Sequence, residues 1–512
     1  MKRTETKFRQ WLIALVPPIA LFSVMIFCLY GSGATSLFDR PLSLDEFHTL
    51  LVAGDPSLSH SWNSLRQGAD YNPPALYILI KITSAILGRL DDRSMRVFSF
   101  ASVYLGLMGV YYLLRETSLK SVAAVGTLAT LAHPLLILHA FDARFYGPWF
   151  AAAAWYCVLL NKPRWLRKKS GIVSPLATSV ASIILCTIHY FGIISWFLIT
   201  VSHFTLTMKT RRPSYRDALW VFSGPIALLL SLIIFYPGQR SAISVPTWVS
   251  KPGFSHVQDF LVTLFPALIF AVPGLLALID ALIRELFQSR TNPSRSTEDF
   301  PLGRLAGATG LTLMPFAILG FTFLIQPAAI ARYAMPSLLV VGPVIAFSLR
   351  STGRMMAALA ALAFILLALI NFAFCYRSYL NHESLDVVKA IQIVRSRETG
   401  ISPVMILSNQ REIAYQLWRY APQLRDVVKI IDPSDIKEGS LANYDRLERD
   451  VASRLNHLYG TPEVIRLKDL RQVATIYLLI SRFDADKIAD KLPDYQRQVV
   501  YNQRVTCLRL SK

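Results

Sequence analysis

Two adjacent carboxylates stand in the segment Leu44-Asp45-Glu46-Phe47-His48, inside a polar stretch over residues 32–73 that follows a long apolar run. A carboxylate placed outside an apolar frame can take a proton from a hydroxyl or amine. A second acid, Asp142, is followed closely by Arg144 and Tyr146. Asp45 and Asp142 also offer oxygen ligands to a divalent metal, so acid–base chemistry with or without a metal is open. Lys81, Arg96, Arg144 and Arg332 supply cations, and a guanidinium fork matches the oxygens of a phosphate. Tyr71, Asn72, Tyr146, His189 and Tyr333 add polar and aromatic groups. Acid, base and phosphate clamp together suit transfer of a group from a lipid-phosphate donor. The catalytic candidates are therefore Asp45, Glu46 and Asp142. The substrate-binding candidates are Tyr71, Asn72, Lys81, Arg96, Arg144, Tyr146, His189, Arg332 and Tyr333. Plainer readings exist for each kind. Asp45 and Glu46 suit the first turn of a helix, Asp142 and Arg144 a local ion pair, Lys81 and Arg96 snorkelling cations, and the tyrosines a membrane-interface belt.

The frame that must position these groups is membrane-like. The chain has 512 residues, 53% hydrophobic and only 17% charged, and its apolar residues fall in runs of roughly 17–25, the length that crosses a bilayer. The net charge of +20 does not point to nucleic acid, because Lys and Arg cluster in short loops between apolar runs. The five cysteines show no metal-ligand spacing and no paired framework.

Topology follows from charge. Lys2, Arg3, Lys7 and Arg9 precede the first apolar run, at 11–30, which puts the N-terminus on the cytoplasmic side of an uncleaved span. The apolar stretch 75–88 after Pro73-Pro74 contains Lys81 and is short for a span, so it reads as a re-entrant or interfacial helix on the outer side. Further spans are expected at 95–114, 121–138, 147–160, 173–187, 191–208, 218–236, 260–282, 305–325, 333–349 and 355–376, about eleven in all. This assignment places each strongly basic loop inside, including the one carrying Lys162, Arg164, Arg167, Lys168 and Lys169. It places the candidate site residues together outside. The loop over 237–257, with Arg240, Trp248 and Lys251, reads as a lid.

The composition changes after Tyr376. Strand-like runs at 404–408, 427–431, 464–467 and 475–481 alternate with helical patterns at 385–397, 411–420, 444–458 and 484–492. That order predicts an α/β domain with a largely parallel sheet. The chain thus reads as a polytopic α-helical membrane domain at 1–376 and a C-terminal extracytoplasmic, soluble α/β domain at 377–512.

Four segments, in order, carry a resemblance: Asp45-Glu46 followed by Tyr71-Asn72-Pro73-Pro74-Ala75-Leu76-Tyr77, then Arg96, then Asp142-Ala143-Arg144-Phe145-Tyr146, then Arg332-Tyr333-Ala334-Met335-Pro336. They resemble the motifs of GT-C glycosyltransferases, with protein O-mannosyltransferase-like enzymes and the lipid A aminoarabinose and galacturonosyl transferases as the nearest groups. Asn72 departs from the pattern, since His or Lys often stands there. The resemblance implies a polyprenyl-phosphate sugar donor and a lipid, glycan or protein acceptor. It also implies transfer on the periplasmic face of a bacterial inner membrane, with Asp45 as catalytic carboxylate and Asp142 as second acid. The competing reading is a non-enzymatic transporter or flippase of a lipid-linked sugar, which calls for charges or broken helices near mid-membrane.

Overall fold

The computed structural model describes residues 2–116, 118–161, 173–207, 215–243, 253–264, 304–325, 327–350, 352–380, 404–408, 411–432, 442–473, 475–481, 488, 490–502 and 505–511. The chain opens with α1 (Lys2–Gly31), α2 (Leu44–Gly54), α3 (Leu58–Arg66), α4 (Ala75–Leu87) and α5 (Asp92–Arg115). It continues through α6 (Lys120–Leu131), α7 (Pro134–Ala140), α8 (Tyr146–Leu160), α9 (Val173–Ile188), α10 (Gly192–Thr207), α11 (Tyr215–Ile243) and α12 (Phe254–Leu264). Next come α13 (Ala306–Gly310), α14 (Met314–Leu324), a 3-10 run at Ala331–Val340, α15 (Val341–Ser348) and α16 (Arg354–Leu380). The tail holds β1 (Val404–Ser408), α17 (Arg411–Tyr420), β2 (Val428–Ile431), α18 (Ala442–Tyr459), β3 (Val464–Ile465), β4 (Thr475–Ser481), β5 (Gln496–Asn502) and β6 (Val505–Ser511).

The chain forms two compact units. The first comprises Met1–Phe38, Asn72–Ile233 and Val249–Tyr376; the second comprises Asp39–Tyr71, Ile234–Trp248 and Arg377–Lys512. One break between the units falls after Tyr376. The segment 39–71, which the sequence reading kept with the membrane domain, is built into the second unit.

Among the described residues of the first unit and its continuation in α11, five helices are long and apolar enough to cross a membrane: Asp92–Arg115, Leu219–Arg240, Ala306–Leu324, Ala331–Ser348 and Met355–Leu380. Their apolar faces make this a multi-pass helical membrane protein. Shorter apolar helices lie at Val16–Gly31, Ala75–Leu87, Pro175–Ile188 and Gly192–Thr205. The expected span at 260–282 and the basic loop at 162–169 lie wholly or mostly outside the described residues, as do Trp248 and Lys251 of the expected lid.

Three expected spans take a different form. The span at 121–138 is broken into α6 and α7, bent by 67°. Pro134 cannot continue the hydrogen-bond ladder of α6, and His133 caps α7 by accepting from the Leu135 N–H at 3.2 Å. The other ring nitrogen of His133 donates to the Leu264 carbonyl at 2.9 Å, and Asn371 donates to the Ala132 carbonyl at 2.7 Å, so the polar groups at the bend are satisfied. The span at 218–236 runs on as helix to Ile243, through Pro237 and Gly238, where a loop was expected. Gln239 donates to the Asp70 carbonyl at 3.0 Å, and Gly238 sits so close to the Arg66 carbonyl that a Cβ would overlap it. The span at 333–349 begins as the 3-10 run, with Pro336 inside it and a kink at Ala334, because proline lacks the donor an α-turn needs.

Small residues let the membrane helices approach closely. A Cβ on Gly109 of α5 would lie 2.8 Å from the Cβ of Ala154 on α8, and one on Gly147 would lie 2.6 Å from the Ser99 carbonyl. At the α6–α15 crossing, a Cβ on Gly126 would lie 2.7 Å from the Gly342 carbonyl. The proline pair Pro17-Pro18 inside α1 leaves backbone acceptors behind, and the Tyr104 hydroxyl donates to the Pro18 carbonyl at 3.1 Å.

In the second unit the sheet order is β3-β2-β1-β4-β6-β5, with β3, β2, β1 and β4 parallel and β4, β6 and β5 antiparallel. Leu407, Ile431, Ile476, Leu478, Leu508 and Leu510 form its core. The four parallel strands fall where the sequence places them. The β5–β6 hairpin is an addition: β5 is an edge strand, Gln496-Arg497-Gln498-Val499, with Val499 exposed, and its polar face hides the period-2 signal. The expected helix at 385–397 lies outside the described residues, as does most of 484–492.

Gly126→Leu should force α6 and α15 apart and lower stability by about 1–3 kcal/mol. Gly320→Ala, where nothing lies within 4 Å of the new Cβ, should cause no loss. Thermal unfolding of the detergent-solubilised chain separates the two outcomes.

Candidate active site

In the first unit the site is assembled on the turn between α7 and α8. Arg96, fully buried on α5, donates from Nη1 to the Phe141 carbonyl at 2.7 Å. This ties the turn to α5 and gives Arg96 an anchoring contact. The turn closes tightly, with the Arg144 N–H donating to the Asp142 carbonyl at 2.7 Å. The Asp142 carboxylate is hydrogen-bonded to Nδ1 of His139 at 2.6 Å. Three residues apart at the end of α7, the two share a face. The His139 ring lies 4.7 Å from that of Tyr146.

Around this turn gather residues from distant segments. The His189 ring stacks on Phe145 at 4.1 Å and on Tyr333 at 5.4 Å, each at 25°. Trp149 lies 5.0 Å from the same imidazole. The Arg332 guanidinium is 5.9 Å from the ring centre of Tyr146 and 5.7 Å from that of Tyr333. Arg144, 8% exposed, sits 5.5 Å from the Phe145 ring centre. Asp142, Arg144, Tyr146, His189, Arg332 and Tyr333 thus form one continuous cluster. Desolvated cations beside aromatic faces suit an anionic oxygen ligand, because the low-dielectric surroundings strengthen each charge-assisted hydrogen bond.

Asn72 is buried just ahead of α4, and Lys81 is half-buried on α4, which packs against α5 and α9. His139, Phe145 and Trp149 are members of the cluster that were not among the sequence candidates. The i, i+3 spacing of His139 and Asp142 was the one available signal for them.

In the second unit the Asp45-Glu46 pair divides. Both lie in the first turn of α2. Glu46 is 1% exposed and accepts the Ser43 N–H at 2.8 Å and Arg40 Nη2 at 3.3 Å. This is the carboxylate half of a capping box with Ser43. Glu46, expected as a catalytic acid, gives one oxygen to the helix cap and the other to Arg40. Asp45, the other member of the pair, is exposed. The Thr49 hydroxyl lies 3.2 Å from both the Asp45 backbone carbonyl and Asp70 Oδ2, so it links the first turn of α2 to the Asp70 carboxylate. Asp70, 3% exposed, also accepts the Tyr71 N–H at 2.7 Å. Burial pushes the Tyr71 phenol up to about 12, with Arg454 and Arg411 pulling it back.

Asp45 and Asp142, the two carboxylates named for a metal, belong to different units. Among the described residues no group of three or more His, Cys, Asp or Glu is placed to hold a metal ion.

No protein-family model matches the chain, and no curated protein matches it. Solved structures do. ArnT from Cupriavidus metallidurans, crystallised bound to undecaprenyl phosphate, is 12% identical, with 98% of each chain covered and a TM-score of 0.58. The apo crystal structure of the same protein is 12% identical, with 96% of this chain and 97% of that one covered and a TM-score of 0.59. An oligosaccharyltransferase from Archaeoglobus fulgidus, in complex with zinc and sulfate, is 13% identical over 90% of this chain and 68% of that one, at a TM-score of 0.41. The match to ArnT covers nearly the whole of both chains, and the chain has a GT-C glycosyltransferase fold.

Proposed function

We propose that this chain is a membrane glycosyltransferase that moves a sugar from a polyprenyl-phosphate donor to an envelope lipid, glycan or protein. It would act on the periplasmic face of a bacterial inner membrane, with the N-terminus cytoplasmic and the α/β domain outside. The observation that carries the reading is the convergence of Arg144, Arg332, Tyr146, His189 and Tyr333 into one cluster. It lies in a fold shared with a protein crystallised with undecaprenyl phosphate.

In this reading Asp45 takes the proton from the acceptor hydroxyl. The acceptor oxygen forms a bond to the anomeric carbon, the bond from that carbon to the phosphate oxygen breaks, and the electron pair leaves on the polyprenyl phosphate. Inversion at the anomeric carbon follows from such a single displacement. Arg144 and Arg332 stabilise the charge that develops on the departing phosphate. Asp142 holds His139 against Tyr146, which keeps the aromatic wall beside Arg332 in place. Arg96 holds the turn that presents Asp142 and Arg144.

One observation bears on the transporter alternative: the break between α6 and α7 is the kind of discontinuity a transport path uses. Here His133 and Asn371 bond to backbone carbonyls at that break, which favours a sealed structural bend.

Asp45→Asn should lower sugar transfer by about 10²–10⁴-fold, the usual contribution of a general base. Mass comparison of envelope lipids, glycans and proteins in cells with the intact chain, no chain, or Asp45→Asn at equal abundance reads this out. A sugar-sized mass that survives Asp45→Asn but not deletion would favour the transporter. Arg332→Ala should weaken binding of undecaprenyl phosphate by about tenfold or more, the scale of a charge-assisted hydrogen bond, measured by titration of the purified chain. Glu46→Ala should lower stability by about 1 kcal/mol through loss of half the capping box, and a thermal melt tests it.

A further inference from the structure

The second unit contains an interaction that the reaction as described does not use. Leu42 immediately precedes the Ser43 cap of α2 and has both backbone polar groups held by side chains of α17. Its N–H donates to the Tyr420 hydroxyl at 2.9 Å, and its carbonyl accepts from Gln416 Nε2 at 3.1 Å. At the fourth residue of α2, the Phe47 ring stacks on Tyr415 at 4.6 Å and 11°, and meets Trp418 edge-on at 5.9 Å. His48 adds an edge contact to Tyr415 at 6.0 Å. α17 itself follows β1 and packs on β1 and β2.

These contacts have a directional consequence. Successive residues of an α-helix are about 100° apart, so Asp45 and Phe47 lie about 200° apart around α2. Clamping Phe47 against α17 therefore fixes the roll of α2 and with it the direction of Asp45, which is itself exposed at the first turn. The hold on Leu42 decides where the helix starts, and the Ser43–Glu46 capping box follows from that start. We propose that α17 is the positioning element for Asp45, with Gln416 and Tyr420 setting where α2 begins and Tyr415 setting its roll. The α/β tail is then part of the machinery, and its job is to aim the base. This rests on the reading of Asp45 as general base.

Hydrogen exchange on the full chain in lipid nanodiscs tests the clamp. In the double variant Gln416→Ala/Tyr420→Phe, amides of Leu44–Gly54 should exchange about tenfold faster, because the start of α2 frays. Amides of β1, β4 and α5 should keep their protection, which separates loss of the clamp from unfolding. Tyr415→Ala should act alike, whereas Tyr415→Phe, which keeps the stack, should leave α2 protected. Lys429→Ala, which removes an exposed ion pair with Glu463, is the control and should change nothing. In cells at equal abundance, the double variant should lose the same sugar-sized mass as Asp45→Asn, by about tenfold. Unchanged exchange in α2 overturns the proposal, as does faster exchange with undiminished transfer. If α2 loosens while Asp45→Asn still transfers sugar, Asp45 is not the base and the positioning role falls with it, leaving α17 as a structural clamp on α2.

Discussion

A guanidinium buried in the membrane unit must find hydrogen-bond acceptors, because leaving it without them would be prohibitively costly. Arg96 meets that demand at the Phe141 carbonyl, and the cluster depends on this bond. It fastens the turn between α7 and α8 to α5, so that Asp142, Arg144 and Tyr146 are presented by a backbone with little freedom. Glycine contacts between α5 and α8 bring the two helices close enough for the bond to form. The packing of the membrane helices and the chemistry of the site are thus one problem, solved by small residues on one side and a buried cation on the other.

The second unit solves a related problem with different means. A helix of eleven residues, α2, is too short to hold its own first turn firmly in water. It is held from three sides: Glu46 caps it, Thr49 ties it to Asp70, and α17 grips Leu42 and Phe47. Asp45 is left exposed by this division of labour among neighbouring polar residues. Adjacent carboxylates that look interchangeable in a sequence are separated by their partners into one that builds and one that faces outward.

The bend between α6 and α7 illustrates how the membrane frame tolerates irregular backbone. Pro134 breaks the ladder; His133 accepts the Leu135 N–H there and Asn371 donates to the Ala132 carbonyl. The 3-10 run at Ala331–Val340 is a second irregularity, and it brings Arg332 and Tyr333 to the aromatic wall. Both irregularities occur at prolines, and both adjoin the segments that carry the site.

Much of this was legible in the residues alone. Runs of apolar residues announced the membrane helices, and the order Asp45, Arg96, Asp142, Arg332 announced the type of fold. Alternation of short apolar runs with helical patterns announced the parallel strands β1 to β4. These follow from local properties, namely hydropathy over a bilayer's thickness and periodicity along a strand. What only the tertiary structure decided is which polar groups are already committed. Glu46 became a cap, Arg96 an anchor, and His139 the partner of Asp142. Leu42 found its partners 378 and 374 residues away, at Tyr420 and Gln416. A hydrogen bond depends on where two atoms lie in space, and neither composition nor spacing along the chain records that distance.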